Sequence, residues 1–178
     1  MSQIRFARLS DAERIRKICS DLTIDRASKA RSSFVKYPPH TKEEWERRIE
    51  DNPFFYVIEQ ARKVIGFFSN YTDSKLAEVT KVDDKLAKIV LKKPAHFIYN
   101  DLLRITPEFQ GQGIANRLIE KFLEDTKDSQ YPLAWTTVSH APYRNVQSIR
   151  LMESFGWNLD EEIQTKEGLT FGLYRKEL

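Results

Sequence analysis

Apolar positions change their period several times along this chain, and each change marks an element. Ile4, Phe6 and then residues 7–9 alternate with polar neighbours, the period-two signature of a strand. Ser10 with Glu13 forms a capping-box pattern that opens a helix, on which Ile15, Ile18, Cys19 and Leu22 share a face. Residues 23–40 are polar, with Arg26, Lys29, Arg31, Phe34, Lys36, Tyr37 and a Pro38-Pro39 pair. Thr41 with Glu44 repeats the capping box before a short helix bearing Trp45 and Ile49. Strands at 54–59 and 64–69 flank a turn at 60–63 and read as a hairpin.

Residues 73–95 interrupt this run of strands. Leu76, Val79, Leu86 and Ile89 recur with Val82 at three- or four-residue spacing, so we read one amphipathic helix or two short ones. A long hairpin is the alternative, because 79–82 and 89–91 are β-capable. A strand follows at 97–105, a helix from about residue 114, a strand at 133–138, a capped helix after Asn145, and strands at 159–165 and 170–175. The order is β-α-α-β-β-β-α-β-α-β-β, without repeats or low-complexity tracts.

Candidate chemistry concentrates where the strand at 97–105 gives way to a helix. Pro107 cannot donate to a ladder, so it ends the strand. Ile114, Leu118, Ile119, Phe122 and Leu123 recur at helical spacing, which places the helix start within the glycine segment. A helix start carries free N–H groups and the positive end of the dipole, and both favour an anion. Gly111 and Gly113 lack Cβ atoms, so a phosphate can approach the backbone closely. No Lys-Ser or Lys-Thr follows the glycines, which excludes the nucleotide-triphosphate loop. The three-glycine dinucleotide fingerprint is incomplete and lies past mid-chain.

Gln110, Gly113 and Ala115 fill a register of Gln or Arg, two residues, Gly, one residue, Gly or Ala. In this the segment resembles the acetyl-CoA loop of the GCN5-related N-acetyltransferases (GNAT). A second segment agrees. Asn145 suits an N-cap, Val146, Ile149, Met152 and Phe155 share a helical face, and Gly156 followed by Trp157 suits the stop. This is similar to the family's second signature. The resemblance covers residues 97–178 well and the first half by architecture. It implies a mixed α/β fold: a single GNAT-like domain over 1–178, with a mostly antiparallel twisted sheet splayed around acetyl-CoA and about four flanking helices.

The resemblance also implies roles for individual residues. Backbone N–H groups of Gln110, Gly111, Gln112, Gly113, Ile114 and Ala115 would bind the pyrophosphate. The backbone of Leu103, Arg104 and Ile105 would pair with pantetheine, and Asn145 would lie beside that arm. The activity implied is acetyl transfer from acetyl-CoA, by direct attack, to a primary amine of a small molecule or peptide; aminoacyl-tRNA and protein N-termini are further acceptors within the family. Direct attack needs the reactants held together, a proton acceptor and, ideally, a proton donor for the thiolate. Asp101 is the only acid inside the strand at 97–105 and is the candidate base; an Asp marking a β-bulge is the competing reading. Glu108 suits the helix dipole, and His96 and His140 read as surface residues beside strand ends. Met152 occupies a position where the family often has Tyr, and a thioether donates no proton. Tyr143, near the start of the same helix, is the candidate acid in its place; the alternative is a thiolate that leaves unassisted.

Composition narrows the partners. A chain of 178 residues that is 40% hydrophobic can bury one sizeable core. Its 29 Lys and Arg exceed its 26 Asp and Glu by 3, which does not commit it to nucleic acid. A single cysteine and three histidines without ligand spacing predict no metal. No apolar run is long enough to span a membrane, and the opening residues lack a signal-peptide core, so a cytoplasmic protein is expected. Residues 25–40 fall where an acceptor wall is expected, and the 73–95 insertion has three roles open to it: a cover for the acceptor, a homodimer contact or a solvated embellishment. Met152 keeps one other function in view, a catalytically weak acyl-CoA-binding or regulatory module.

Overall fold

The computed structural model describes residues 2–21, 40–80, 85–93, 96–166 and 168–178; Leu22 and the expected acceptor wall with Arg26, Arg31, Phe34 and Tyr37 lie outside them. The elements are β1 (Ser2–Phe6), α1 (Ala12–Asp21), α2 (Lys42–Ile49), β2 (Tyr56–Gln60), β3 (Lys63–Thr72), α3 (Asp73–Val79), α4 (Lys85–Val90), β4 (Phe97–Ile105), α5 (Ile114–Thr126), β5 (Leu133–Ala141), α6 (Val146–Ser154), β6 (Asn158–Gln164) and β7 (Thr170–Glu177). Among the described residues, one seven-stranded sheet runs β1-β2-β3-β4-β5-β7-β6. Every pairing is antiparallel except β4 with β5.

Alternation along the strands builds two cores, one on each face. Phe55, Val57, Phe67, Tyr71, Phe97, Tyr99 and Trp135 meet α1 to α4. Tyr56, Ile58, Phe68, Ile98 and Ala134 meet Leu118, Ile119 and Phe122 of α5 and Ile149 and Met152 of α6. A strand covered on both faces needs apolar residues at both parities, which is why β2 is buried from Tyr56 to Ile58 and β3 from Val64 to Thr72.

Local signals are met in several places. Thr41 Oγ1 accepts from Glu44 N (3.2 Å) and Glu44 Oε2 accepts from Thr41 N (2.8 Å), a complete capping box. The β2–β3 hairpin turns on Ala61 and Arg62, both at positive φ (49° and 62°), as a two-residue turn of that twist requires. The first strand is shorter than expected. Residues 9–11 form a 3₁₀ turn with Arg8 at its N-cap, and Asp11 Oδ2 accepts from Arg8 N (2.8 Å). Glu13 does not return to Ser10; it binds Arg16 (2.8 Å), because the Arg5 guanidinium already anchors Asp11 (2.7 and 2.9 Å) at the turn.

The described residues of the insertion form two short helices, α3 and α4, which raises the count of α-helices among the described residues to six. Leu76, Val79, Leu86, Ala87 and Val90 enter the core on the α1–α2 face, so the segment is no solvated embellishment. Beyond α4, Lys93 binds Asp160 (3.2 Å) and Glu161 (2.7 Å) of β6 and stands 4.8 Å from the Trp135 ring centre.

Candidate functional site

β4 and β5 pair only from Phe97↔Leu133 to Asn100↔Thr136, and the ladder ends there. Beyond it the strands carry on to Ile105 and Ala141 with other partners, β3 and β7. Between them opens a cleft of about 630 Å³, lined by 100–105 of β4, 136–139 of β5, the start of α5 and the start of α6. Among the described residues, therefore, no strand pairs with Leu103, Arg104 and Ile105 on the β5 side. An elongated molecule with its own amide groups can fill that place.

Asn100 and Thr136 build the floor. Thr136 Oγ1 donates to Asn100 O (2.8 Å), and Asn100 Nδ2 donates to Asn70 Oδ1 (2.7 Å). Asn70 is held in turn by Phe54 O (2.8 Å). On the α1–α2 side, Tyr99 OH and Thr137 Oγ1 are 2.7 Å apart.

At one end the cleft meets the N-terminus of α5. Gly111 (φ 75°) and Gly113 (φ 73°) adopt left-handed backbone, and a Cβ built on either would meet nothing within 4 Å. Arg117 N makes the first bond back into the helix, to Gly113 O (3.2 Å), so the N–H groups of Ile114, Ala115 and Asn116 precede the helical ladder. Ile114 and Ala115 line the cleft, as do Gln110, Gly111 and Gly113. The Gln110 side chain ties the loop to β4 through Ile105 O (2.9 Å). Gln112 is not among the lining residues; its Nε2 donates to Glu108 O (3.2 Å). Free helix-start donors at the end of a long open slot suit a ligand with an anionic group and an extended arm.

The opposite wall is the start of α6. Asn145 Oδ1 caps the helix by accepting from Ser148 N (3.0 Å), and Asn145 N donates to Ser139 O (2.9 Å) of β5. Asn145, Ser148, Leu151 and Met152 all line the cleft, and Met152 is otherwise buried. Gly156, at φ 86°, terminates the helix as its C′ residue.

Asp101 also lines the cleft. Across β3 and β4 the register passes from Asn70↔Asn100 to Ser69↔Leu102, so Asp101 is the extra residue of a bulge. Ser69 Oγ repairs the ladder by accepting from Leu102 N (3.2 Å). The bulge and the place in the cleft thus belong to one residue. Arg48 Nη1 of α2 lies 3.7 Å from Asp101 Oδ2.

Other candidates are placed elsewhere. Tyr143 is 57% exposed and does not line the cleft, although Ser139 Oγ holds its carbonyl (2.7 Å). His96 is exposed. His140, expected at the surface, is buried: Nδ1 meets Glu162 Oε1 (2.6 Å) and Nε2 meets Tyr174 OH (2.9 Å), over Gly172, where a Cβ would collide with the ring. Cys19 is half-buried, and burial pushes its thiol up to about 12, so it is no nucleophile. Sequence reasoning missed Asn100, Thr136, Thr137, Ser139 and Ser148. The available signal was the Thr-Thr pair inside an otherwise apolar central strand. Among the described residues no group of three or more His, Cys, Asp or Glu gathers at one point, and no helix is long and apolar enough to cross a membrane.

The sequence profile of the Acetyltransferase (GNAT) family matches residues 20–157. No curated protein is significantly similar to the chain. Among solved structures, Ard1 from Thermoplasma volcanium superimposes with a TM-score of 0.71 at 14% identity, covering 99% of this chain and 97% of that one. The ribosomal-protein-S18-alanine N-acetyltransferase from Escherichia coli gives 0.68 at 15%, covering 99% and 94%. The yncA protein from Salmonella typhimurium, solved with its cofactor acetyl-CoA, gives 0.69 at 15%, covering 100% and 94%. At such identities the likeness is one of fold.

Proposed function

Because the chain belongs to the acetyltransferase (GNAT) family, we propose that it is an N-acetyltransferase that moves an acetyl group from acetyl-CoA, by direct attack, to a primary amine of a small molecule or peptide. One observation carries this reading: the β4–β5 fork opens onto the glycine-bearing start of α5, so an extended arm and a diphosphate have adjoining places. Acetyl-CoA has both parts, and its thioester supplies an already activated acyl group.

In this reading the Gln110–Ala115 segment holds the pyrophosphate through backbone N–H groups, and the cleft-lining backbone of Leu103, Arg104 and Ile105 pairs with pantetheine. Asn145 orders the α6 wall. Asp101, the bulge residue that lines the cleft, takes the proton that an ammonium must shed before it attacks. Proton loss breaks an amine N–H bond and forms a carboxyl O–H bond, and the proton then passes to solvent. Met152 lines the cleft without a donor and Tyr143 stands outside it, so the thiolate leaves without help from either. The absence of a membrane-length helix among the described residues fits a cytoplasmic setting.

The weak-module alternative rests on Met152. A thiol-release assay across a panel of monoamines, diamines, aminoacyl esters and peptides separates the two, with Asp101→Asn measured beside wild type. Turnover is expected with at least one amine, and Asp101→Asn should depress kcat/KM most at low pH, where few acceptor molecules are neutral. Saturable CoA binding with no turnover on the whole panel would replace the enzyme by the module.

A further inference from the structure

The carboxylate read above as the proton acceptor has a fixed cationic companion. Arg48 and Asp101 are 7% and 15% exposed, and their 3.7 Å approach joins α2 to the bulge of β4. Arg48 is itself constrained. Its guanidinium carbon lies 5.8 Å from the Trp45 ring centre and 5.4 Å from that of Tyr71. Its carbonyl accepts from Asn52 Nδ2 (3.0 Å), which also reaches Asn70 O of β3 (2.9 Å). The charge beside Asp101 is thereby tied to the same strand pair that makes the bulge.

The groups facing this pair are few among the described residues. Cys19 of α1 senses the charges of Arg104, Asp101 and Arg48, and Tyr71 of β3 senses those of Arg48 and Asp101. Burial pushes both the thiol and the phenol up to about 12, so neither carries charge near neutrality. The charges that both groups sense are those of Asp101 and Arg48, with Arg104 also reaching the thiol.

We propose that Arg48 is a positioning residue that keeps Asp101 ionised within the cleft and so sets the lower pH limit of acetyl transfer. The role rests on the reading of Asp101 as base. Burial disfavours an ionised carboxylate, and a nearby guanidinium favours it. A carboxylate protonated near neutral pH could not accept the ammonium proton. Arg48 therefore trades some basicity of Asp101 for availability. A purely structural pair, in which Asp101 only neutralises a buried arginine, makes a different prediction: loss of stability without displacement of the pH profile.

The first measurement needs no substrate. The Asp101 carboxyl carbon is followed by carbon-13 NMR against pH, assigned by its disappearance in Asp101→Asn. In Arg48→Gln its midpoint should rise by about one pH unit or more, while Arg48→Lys, which restores a charge, should recover most of the shift. Arg48→Met repeats the test if the Gln variant folds poorly. An unchanged midpoint in the neutral variants overturns the proposal. The second measurement is kcat/KM against pH with benzylamine, putrescine and an alanine-headed tetrapeptide. The acid limb should move with the midpoint, and in Asp101→Asn it should give way to one set by the ionisation of the amine itself. A limb that keeps its wild-type position in Asp101→Asn refutes the base reading itself. A limb displaced in Asp101→Asn but unmoved in Arg48→Gln refutes the role of Arg48 alone.

Discussion

A pair of substitutions at Gly113 tests the anion cradle without confusing charge with folding. Gly113 caps α5 at φ 73°, and the space its Cβ would enter is empty to 4 Å. Both Asn and Asp fit that space, and both tolerate left-handed backbone better than other residues do. The conformational cost is shared, at about 1–2 kcal/mol, which for a chain of this size lowers Tm by roughly 2–8 °C. Only Asp adds a charge beside the first free N–H groups of the helix. A unit charge about 4 Å from a phosphate repels it by about 1–4 kcal/mol between fully solvated and near-surface conditions. Gly113→Asp should thus bind CoA about five-fold to several-hundred-fold more weakly than Gly113→Asn. Isothermal titration with CoA measures the gap, and pantetheine, which lacks the diphosphate, should show none. Raising salt to 1 M shortens the screening length to about 3 Å and should narrow it. Equal CoA affinities for the Asn and Asp variants, both folded, would refute the placement of an anion at this helix start.

Asn145→Ala removes the acceptor of Ser148 N and should cost about 1 kcal/mol, a Tm loss of roughly 2–4 °C, with CoA affinity falling less than in Gly113→Asp; a melt paired with a CoA titration separates the cap from the cleft wall. Tyr143→Phe should leave kcat at saturating substrate unchanged, since its ring is largely exposed outside the cleft, and a drop in steady-state kcat would return the hydroxyl to the mechanism. At Asp11 burial opposes ionisation, but hydrogen bonds from the Arg5 guanidinium and Arg8 N–H outweigh it and hold the carboxyl below its ordinary value. A depressed folded-state value stabilises the fold above the unfolded value of about 3.9 and ceases to do so as pH falls through the folded one. Asp11→Asn should therefore lower Tm at neutral pH, with the gap to wild type closing in strong acid; a gap independent of pH would mean the charge contributes nothing.

Features whose causes lie within a few residues were legible before any tertiary contact was known. A capping box at Thr41 and Glu44, an Asn cap with a Gly stop around α6, and glycines before the apolar stripe of α5 specify their own local geometry. The glycine segment could be read as an anion site because helix-start chemistry is local, and two such segments in one order carried the family. Ser10 and Glu13 show the limit even there, since Asp11, held by Arg5, accepts from Arg8 N instead. The insertion's spacing allowed helices or a hairpin, and only the core on the α1–α2 face selected two helices by burying Leu76, Val79, Leu86, Ala87 and Val90. His140 looked like a surface residue because the glycine that makes room for its ring, Gly172, lies on another strand. The same holds for the site. That Asp101 is both bulge and cleft residue depends on its register against β3, and its companion Arg48 comes from a helix far away in the chain. The fork itself has no signature in either strand, since it exists only where the β4–β5 ladder stops and each strand continues with a different neighbour. Caps, turns and stripes follow from short-range sterics and periodicity, whereas register, burial of charge and the opening of a cleft follow from which surfaces meet once the sheet has closed.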